Sequence, residues 1–200
     1  MSLPMSSLIF VTHPEVVIDP RQPIPEWPLS AVGRARMSRF AALLAGRDIA
    51  AVYASGERKA MDGAEIVADA LGLPWCTEEE LGENDRSSTG YIAPPEFWQV
   101  VDEFFANPTR SIRGWERAID AQTRIVNAVR EIAGKHPGSG DIVIVSHGGV
   151  GCLLTAHLQG VTIGQETRPS HPGGGCILVM DRDPIALRHD WRTIEDGLSP

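Results

Sequence analysis

Short apolar runs that alternate with helical segments constrain the fold of this chain more than any other feature. The clearest run is Ile142-Val143-Ile144-Val145, whose β-branched residues indicate a buried strand. Leu8-Ile9-Phe10-Val11 and Ile49 to Tyr53 predict two further strands. Strands that alternate with helices are typical of a parallel sheet with helices on both faces. We therefore predict an α/β fold, a three-layer sandwich with a mostly parallel central sheet.

Helical periodicity and capping residues predict the helices between these strands. Ser30 is a candidate N-cap, and Gly72 is a candidate C-terminal stop for a helix that begins near Ala60. Helices are predicted from Ser30 to Gly46, at 60–71, from residue 96, at 116–133 and from residue 148. The inward face of the helix at 116–133 is predicted to carry Ile119, Ile125, Val126, Val129 and Ile132. Residues 176–180 and 185–191 predict a late β-hairpin.

Length and composition limit the classes of protein that remain. A chain of 200 residues with 42% hydrophobic residues predicts a single domain over residues 1–200. A net charge of -8 argues against general binding of nucleic acid or anionic membrane, although a small basic pocket stays possible. Three cysteines without a CxxC pair suggest neither a zinc site nor disulfides, so we predict free thiols in the cytoplasm. Oligomeric state is not predicted.

Chemically active side chains follow three of the predicted strands. Thr12-His13 follows the first strand, residues 55–59 (Ser-Gly-Glu-Arg-Lys) follow the second, and Ser146-His147-Gly148-Gly149 follows the late strand. Ligands of such sheets bind at the carboxyl ends of the strands. A neutral imidazole can attack phosphorus, and a protonated one can stabilise the oxygens that gain charge. Two histidines and two cations at neighbouring strand ends therefore indicate an anion site.

Each of these residues also has a structural interpretation. His13 before a proline could cap a strand, and Arg58-Lys59 could be a solvated pair at a helix start. Glu83 could belong to the solvated charged run from Glu78 to Asp85. Competing catalytic motifs are incomplete: Ile144 replaces the first glycine of G-x-S-x-G around Ser146. No chemical role is predicted for His136, His157, His171 or His189.

Taken in order, these segments resemble the histidine phosphatase superfamily, in its phosphoglycerate mutase-like branch. Residues 8–15, with Thr12-His13-Pro14, are similar to the opening strand and Arg-His-Gly-Glu signature of the family. Residues 55–60 stand where the family has Ser-Pro-Leu-x-Arg-Ala, and Leu81-Gly82-Glu83 resembles its Leu-Arg-Glu. Residues 114–124, with Glu116 and Arg124, resemble its Gly-Glu-Ser helix, and 146–150 resembles its second histidine motif. The resemblance implies a phosphoglycerate mutase-like fold.

The resemblance also implies a reaction, the hydrolysis of a small phosphorylated substrate. His13 would attack phosphorus and become phosphohistidine, while Glu83 would protonate the leaving alkoxide and later activate water. His147 would bind the transferring group. The implied reaction needs no cofactor and no metal, because fixed cations neutralise the phosphate.

Four positions depart from the family pattern. Thr12 replaces its first arginine, Lys59 its second, Pro14 its glycine and Asp19 a downstream asparagine. Threonine and lysine do not reproduce bidentate arginine contacts, and each lost charge-assisted donor costs about 1.5–3 kcal/mol. We hypothesise that Arg58 or Arg86 restores part of the charge. The predicted phosphate-binding residues are therefore Thr12, Arg58, Lys59 and Arg86.

These departures keep a second function open. The chain could be a catalytically weak or inactive family member that binds an anionic phosphorylated ligand. A mutase is a weaker alternative, and a purely structural protein is a third. The loop from Glu83 to Pro95 is predicted to line the mouth of the site, where its polar residues favour a hydroxylated or charged substrate.

Overall fold

A six-stranded sheet forms the centre of the computed structural model, which describes residues 6–169 and 171–198. The strands are β1 (Ser7–Thr12), β2 (Ile49–Ala54), β3 (Trp75–Thr77), β4 (Asp141–Ser146), β5 (Cys176–Arg182) and β6 (Ile185–Thr193). The α-helices are α1 (Ala31–Leu43), α2 (Arg58–Leu71), α3 (Glu96–Ala106), α4 (Ala118–Lys135) and α5 (Gly148–Gln159). The strand order is β3-β2-β4-β1-β5-β6, and the first four strands pair in parallel. β5 pairs in antiparallel fashion with β1 on one side and with β6 on the other, so four of the six strands form the parallel part and the mostly parallel sheet is confirmed.

The order of the strands positions the chemically active segments. β1 pairs with β4 so that Thr12 lies opposite Ser146, and the backbone N–H of His13 donates to the Ser146 carbonyl at 2.9 Å. β2 lies on the other side of β4, and the Ser55 N–H donates to the Val145 carbonyl at 3.1 Å. The residues that follow β1, β2 and β4 therefore meet at one edge of the sheet.

Helices cover both faces of the sheet because side chains alternate along its buried strands. On one face, Ile9 and Val143 pack in a cluster with α1 and α2. On the other face, Leu8 and Ile142 pack in a cluster with α4 and α5. The three-layer arrangement is thus confirmed. Ser30 accepts a hydrogen bond from the Gly33 N–H and caps α1, as predicted.

Two features differ from the sequence expectations. β3 was not predicted, since this three-residue edge strand lacks buried positions and so carries no apolar signal. Ile119 is 37% exposed, contrary to its predicted inward position. The buried face of α4 begins with Ala118, Ala121 and Ile125, and the i, i+3, i+7 spacing of these residues leaves Ile119 outside it. No helix within the two described ranges is long and apolar enough to cross a membrane.

Candidate active site

A cleft of about 740 Å³ opens at the carboxyl ends of β1 and β4. Its wall comes from the segments after β1 and β4, the loop after Leu81, α3 and the chain before β5. The polar side chains of this cleft include those of His13, Glu83, Asn84, Arg86, Arg168 and His171.

The ring of His13 is fixed as one neutral tautomer. Its Nδ1 lies 2.9 Å from the Pro14 carbonyl oxygen, which can only accept, so Nδ1 carries the proton. Burial lowers the pKa of His13 to about 3, and the nearby His147 and Lys59 contribute to this shift. The ring is therefore neutral at neutral pH, and Nε2 carries the lone pair that a nucleophile needs.

His147 lies beside this nucleophile and is fully buried. Its ring centroid is 5.1 Å from that of His13, at an interplanar angle of 68°. Nε2 is 2.6 Å from the Ser55 hydroxyl and 3.3 Å from Glu57 Oε1, whereas Nδ1 has no partner among the described residues. Burial lowers the pKa of His147, and the carboxylates of Glu57 and Glu83 oppose that shift. Protonation of both ring nitrogens of His147 therefore requires negative charge nearby, which raises the pKa of the ring.

Glu83 binds the N-terminus of α5. Its carboxylate accepts hydrogen bonds from the Gly149 N–H at 3.0 Å and the Val150 N–H at 2.9 Å. A Cβ atom at residue 149 would lie 2.5 Å from Glu83 Oε1, so this approach requires glycine. Burial alone would raise the pKa of Glu83, but Arg86, His147 and the Gly149 amide together lower it. Glu83 is thus ionised at neutral pH in this structure.

Arg124 on α4 holds the backbone that carries Glu83. Its guanidinium donates to the carbonyls of Glu80 and Gly82 at 2.8 and 2.9 Å, and to that of Glu83 at 3.2 Å. Glu116 orients the guanidinium through two hydrogen bonds of 3.0 and 2.8 Å. The position of Glu83 thus depends on a buried charged pair that lies behind the cleft.

The predicted phosphate-binding residues are not all brought together. Arg86 lies in the cleft, 3.6 Å from Glu83 Oε2. The hydroxyl of Thr12 lines the cleft but accepts a hydrogen bond from the Cys176 N–H at 3.0 Å. Arg58 is instead 55% exposed, and its Nε donates to Asp62 at 2.7 Å. Of the two arginines in our hypothesis, the structure brings only Arg86 to the cleft.

Lys59 is buried next to a carboxylate that the sequence analysis assigned no role. Its Nζ donates to Glu57 Oε2 and, at 3.1 Å, to the Ile24 carbonyl. Glu57 also accepts from the Glu83 N–H at 3.0 Å. Burial would raise the pKa of Glu57, but His147 and Lys59 hold it well below its usual range. The positive charge of Lys59 is therefore compensated within the protein.

Three further polar side chains line the cleft, and of these only Asn84 was expected there, as part of the loop from Glu83 to Pro95. Arg168 stacks over the Trp98 ring at 5.1 Å, and His171 Nδ1 accepts from the Gly173 N–H at 3.1 Å. Asn84 is buried, and its Nδ2 has no partner among the described residues. Only Asn84 had a sequence signal, because it follows Glu83 directly. Arg168 and His171 come from an irregular segment without a recognisable motif.

The predicted loop from Glu83 to Pro95 contributes only its first residues to the cleft. Glu83, Asn84 and Arg86 line it, whereas the Ser88 hydroxyl donates to the Arg113 carbonyl at 3.0 Å. The Thr89 hydroxyl accepts from Trp115 Nε1 at 2.8 Å. The expectation that the polar residues of this loop face the substrate is therefore wrong for Ser88 and Thr89.

A second cavity, of about 870 Å³, lies at the amino ends of β1 and β4. Its main polar groups already bind within the protein: Arg182 donates to three backbone carbonyls, and Arg130 Nη2 lies 3.2 Å from His157 Nε2. In the part of the chain that the structure describes, no group of three or more His, Cys, Asp or Glu residues could hold a metal ion. The first cleft is therefore the candidate active site.

A mostly parallel sheet covered by helices on both faces, with two imidazoles side by side at the carboxyl ends of its strands, places the chain among α/β proteins with a candidate two-histidine site. The family model of the histidine phosphatase superfamily (branch 1) matches residues 8–189. The chain belongs to this superfamily, and the resemblance seen in the sequence is confirmed.

Solved structures share the fold over almost the whole chain. YhfR of Bacillus stearothermophilus is 24% identical, with a TM-score of 0.75 and coverage of 97% of this chain and 98% of that chain. The α-ribazole phosphatase of Shigella flexneri is 21% identical, with a TM-score of 0.74 and coverage of 97% and 100%. The mycobacterial glucosyl-3-phosphoglycerate phosphatase Rv2419c, solved with inorganic phosphate, is 20% identical, with a TM-score of 0.73 and coverage of 94% of each chain. No curated protein matches the sequence.

Proposed function

We propose that this protein hydrolyses small phosphate monoesters through a phosphohistidine on His13. One observation carries the proposal: a neutral His13 ring lies 5.1 Å from a buried His147 whose Nδ1 has no partner among the described residues. Buried polar atoms normally have partners, so an unpartnered ring nitrogen next to a histidine that lines the cleft favours a ligand. Family membership supports the proposal, and one structural relative was solved with inorganic phosphate.

In the first half of the reaction, the Nε2 lone pair of His13 forms a bond to phosphorus while the ester P–O bond breaks. The leaving alkoxide takes a proton from Glu83, which must bind that proton when the substrate enters. A phosphate dianion raises the pKa of a neighbouring carboxyl group, since like charges disfavour ionisation. The charge on the transferring oxygens is met by protonated His147 and by Arg86.

In the second half, water attacks the phosphohistidine and loses a proton to Glu83. The N–P bond breaks, inorganic phosphate forms, and His13 returns to its neutral state. Glu83 is ionised in the free protein, which is the form that a general base requires. We infer that the reaction uses these side chains without a metal, and that the protein acts in the cytoplasm.

Turnover of p-nitrophenyl phosphate by the wild type and by His13→Ala tests the proposal. We expect the wild type to be active, His13→Ala to be inactive, and an acid-labile phosphate adduct to form on the wild type alone. A chelator should leave the rate unchanged. Equal activity of the two proteins would refute His13 as the nucleophile.

The pairing of Lys59 with Glu57 favours a second candidate, a binding protein for phosphorylated ligands. Because Glu57 compensates the charge of Lys59, the pocket is less positive than it would be with an unpaired lysine. If this candidate is right, neither the wild type nor His13→Ala turns over p-nitrophenyl phosphate, but inorganic phosphate or a phosphate ester binds saturably to the wild type.

A further inference from the structure

The outer wall of the cleft is aromatic. α3 places Phe97 and Trp98 on this wall, with their ring centroids 5.0 Å apart. Trp115 and Phe104 pack behind them, with a centroid distance of 6.2 Å. The Phe97 and Trp98 rings pack edge to face, at an interplanar angle of 66°, so that each ring restricts the orientation of the other.

Two apolar side chains at this cleft remain in contact with solvent. Trp98 is 42% exposed and Ile18 is 57% exposed, and both line the cleft. They are two of six large hydrophobic residues that are exposed in the described part of the chain. An exposed apolar patch beside a catalytic centre typically marks a ligand-binding surface.

Two arginines of the cleft lie over the rings of this aromatic wall. The Arg86 guanidinium lies 5.6 Å from the Phe97 centroid and 5.5 Å from that of Trp115. The Arg168 guanidinium lies 5.1 Å from the Trp98 centroid. A guanidinium that covers a ring still offers its edge to phosphate oxygens. The same surface can therefore hold a phosphate at one end and a flat group beside it.

The hydroxyl groups of the nearby loop do not serve the substrate, since those of Ser88 and Thr89 are bound to the protein. The outer part of the cleft is lined by the Trp98 ring and by Ile18, whose side chain has no hydrogen-bonding group. The hydroxyl groups of a sugar or glycerol moiety would lose hydrogen bonds with water against this apolar area, which opposes binding.

We propose that the alcohol portion of the substrate is a flat, apolar ring that lies against Trp98 and Ile18. This proposal rests on the phosphatase function proposed above. It differs from the hydroxylated or charged substrate expected from the sequence, and it names Trp98 as a specificity-determining residue. Offset or edge contact with an aromatic ring, together with the area that the ring buries, provides the preference.

The test compares 2-phenylethyl phosphate with glycerol 3-phosphate. Both are esters of primary alcohols, so their leaving groups have similar reactivity and the comparison reports binding of the alcohol portion. The kcat/KM ratio of the two esters is measured for the wild type, Trp98→Ala, Trp98→Phe and Val32→Ala. Val32 is an exposed apolar residue on α1, outside the cleft, and serves as the matched control.

We expect the wild type to favour 2-phenylethyl phosphate by about tenfold or more. Trp98→Ala should remove most of this preference by lowering kcat/KM for that ester alone. Trp98→Phe should retain most of the preference, and Val32→Ala all of it. A wild type that favours glycerol 3-phosphate, or an equal loss for both esters in Trp98→Ala, would overturn the proposal.

Absence of turnover for both esters would refute the phosphatase function and not, by itself, the aromatic subsite. The dissociation constants of the two esters, measured by calorimetry on the same four proteins, then decide whether the aromatic subsite exists. Tighter binding of 2-phenylethyl phosphate that depends on residue 98 supports the subsite, and equal binding overturns it.

Discussion

Glu57 controls how much positive charge the cleft can offer to a phosphoryl group. It binds Lys59 and the Glu83 N–H, and it lies 3.3 Å from His147 Nε2. The substitution Glu57→Gln removes its charge and retains an acceptor oxygen. We predict that this variant is less stable than the wild type and binds inorganic phosphate more tightly.

The structure sets the magnitude of both effects. Lys59 is only 4% exposed, and after the substitution its acceptors among the described residues are the Ile24 carbonyl and the uncharged amide oxygen of the glutamine. Removal of one partner of a buried ion pair costs about 3–5 kcal/mol, and we expect about 3 kcal/mol because glutamine keeps a hydrogen bond. Release of Lys59 toward phosphate should add one charged hydrogen bond, about 1.5–3 kcal/mol, or about 10- to 100-fold in affinity.

Urea denaturation gives the free energy of unfolding, and calorimetry gives the dissociation constant of inorganic phosphate. The matched control is Glu65→Gln, which makes the same chemical change at an exposed position of α2. Phosphate should raise the unfolding free energy of Glu57→Gln more than that of the wild type or the control. Phosphate affinity that is unchanged or weaker in Glu57→Gln would refute the charge argument.

Three further predictions concern stability and catalysis. Because the pKa of folded His13 is about 3, against about 6.5 when unfolded, the unfolded chain binds more protons between these values, so stability falls as pH drops through this window. Urea denaturation at pH 4 and pH 7 should show an additional loss of about 3 kcal/mol in the wild type relative to His13→Gln. Gly149→Ala should lower kcat by about 10- to 100-fold, measured by steady-state kinetics, because its Cβ displaces the Glu83 carboxylate. Arg124→Ala should lower kcat by about tenfold and leave KM less affected, since Glu83 loses its backbone support.

The last two of these predictions each have a control variant that makes the same chemical change elsewhere in the chain. Gly134→Ala in α4 meets no atom within 4 Å and should raise stability by about 0.5–1 kcal/mol, with activity unchanged. Arg117→Ala removes only an exposed pair with Asp120 and should leave kcat within about twofold of the wild type. An acid-induced loss of stability that is identical in His13→Gln would show that another group dominates it. Normal kcat in Arg124→Ala would exclude its role in positioning Glu83.

Much of the fold follows from local sequence patterns. The β-rich runs at β1 and β4 are buried along their whole length and that at β2 at three of its six positions, so each run carries a strand signal. Carboxyl ends of parallel strands meet at one edge of a sheet, which is why His13 and His147 could be placed together in advance. Their catalytic roles, and that of Glu83, remain predictions.

The sequence alone determined the family, the α/β architecture and the edge of the sheet at which chemistry takes place. Only the tertiary structure decided which charges reach the cleft. Arg58 and Lys59 are adjacent in sequence. Arg58 is exposed and pairs with Asp62, whereas Lys59 is buried and pairs with Glu57. Successive residues of a helix point in directions about 100° apart, so packing and not sequence adjacency selects their partners. For the same reason, the stacking of Arg168 on Trp98 could not be predicted, because these two residues meet only when distant segments fold together.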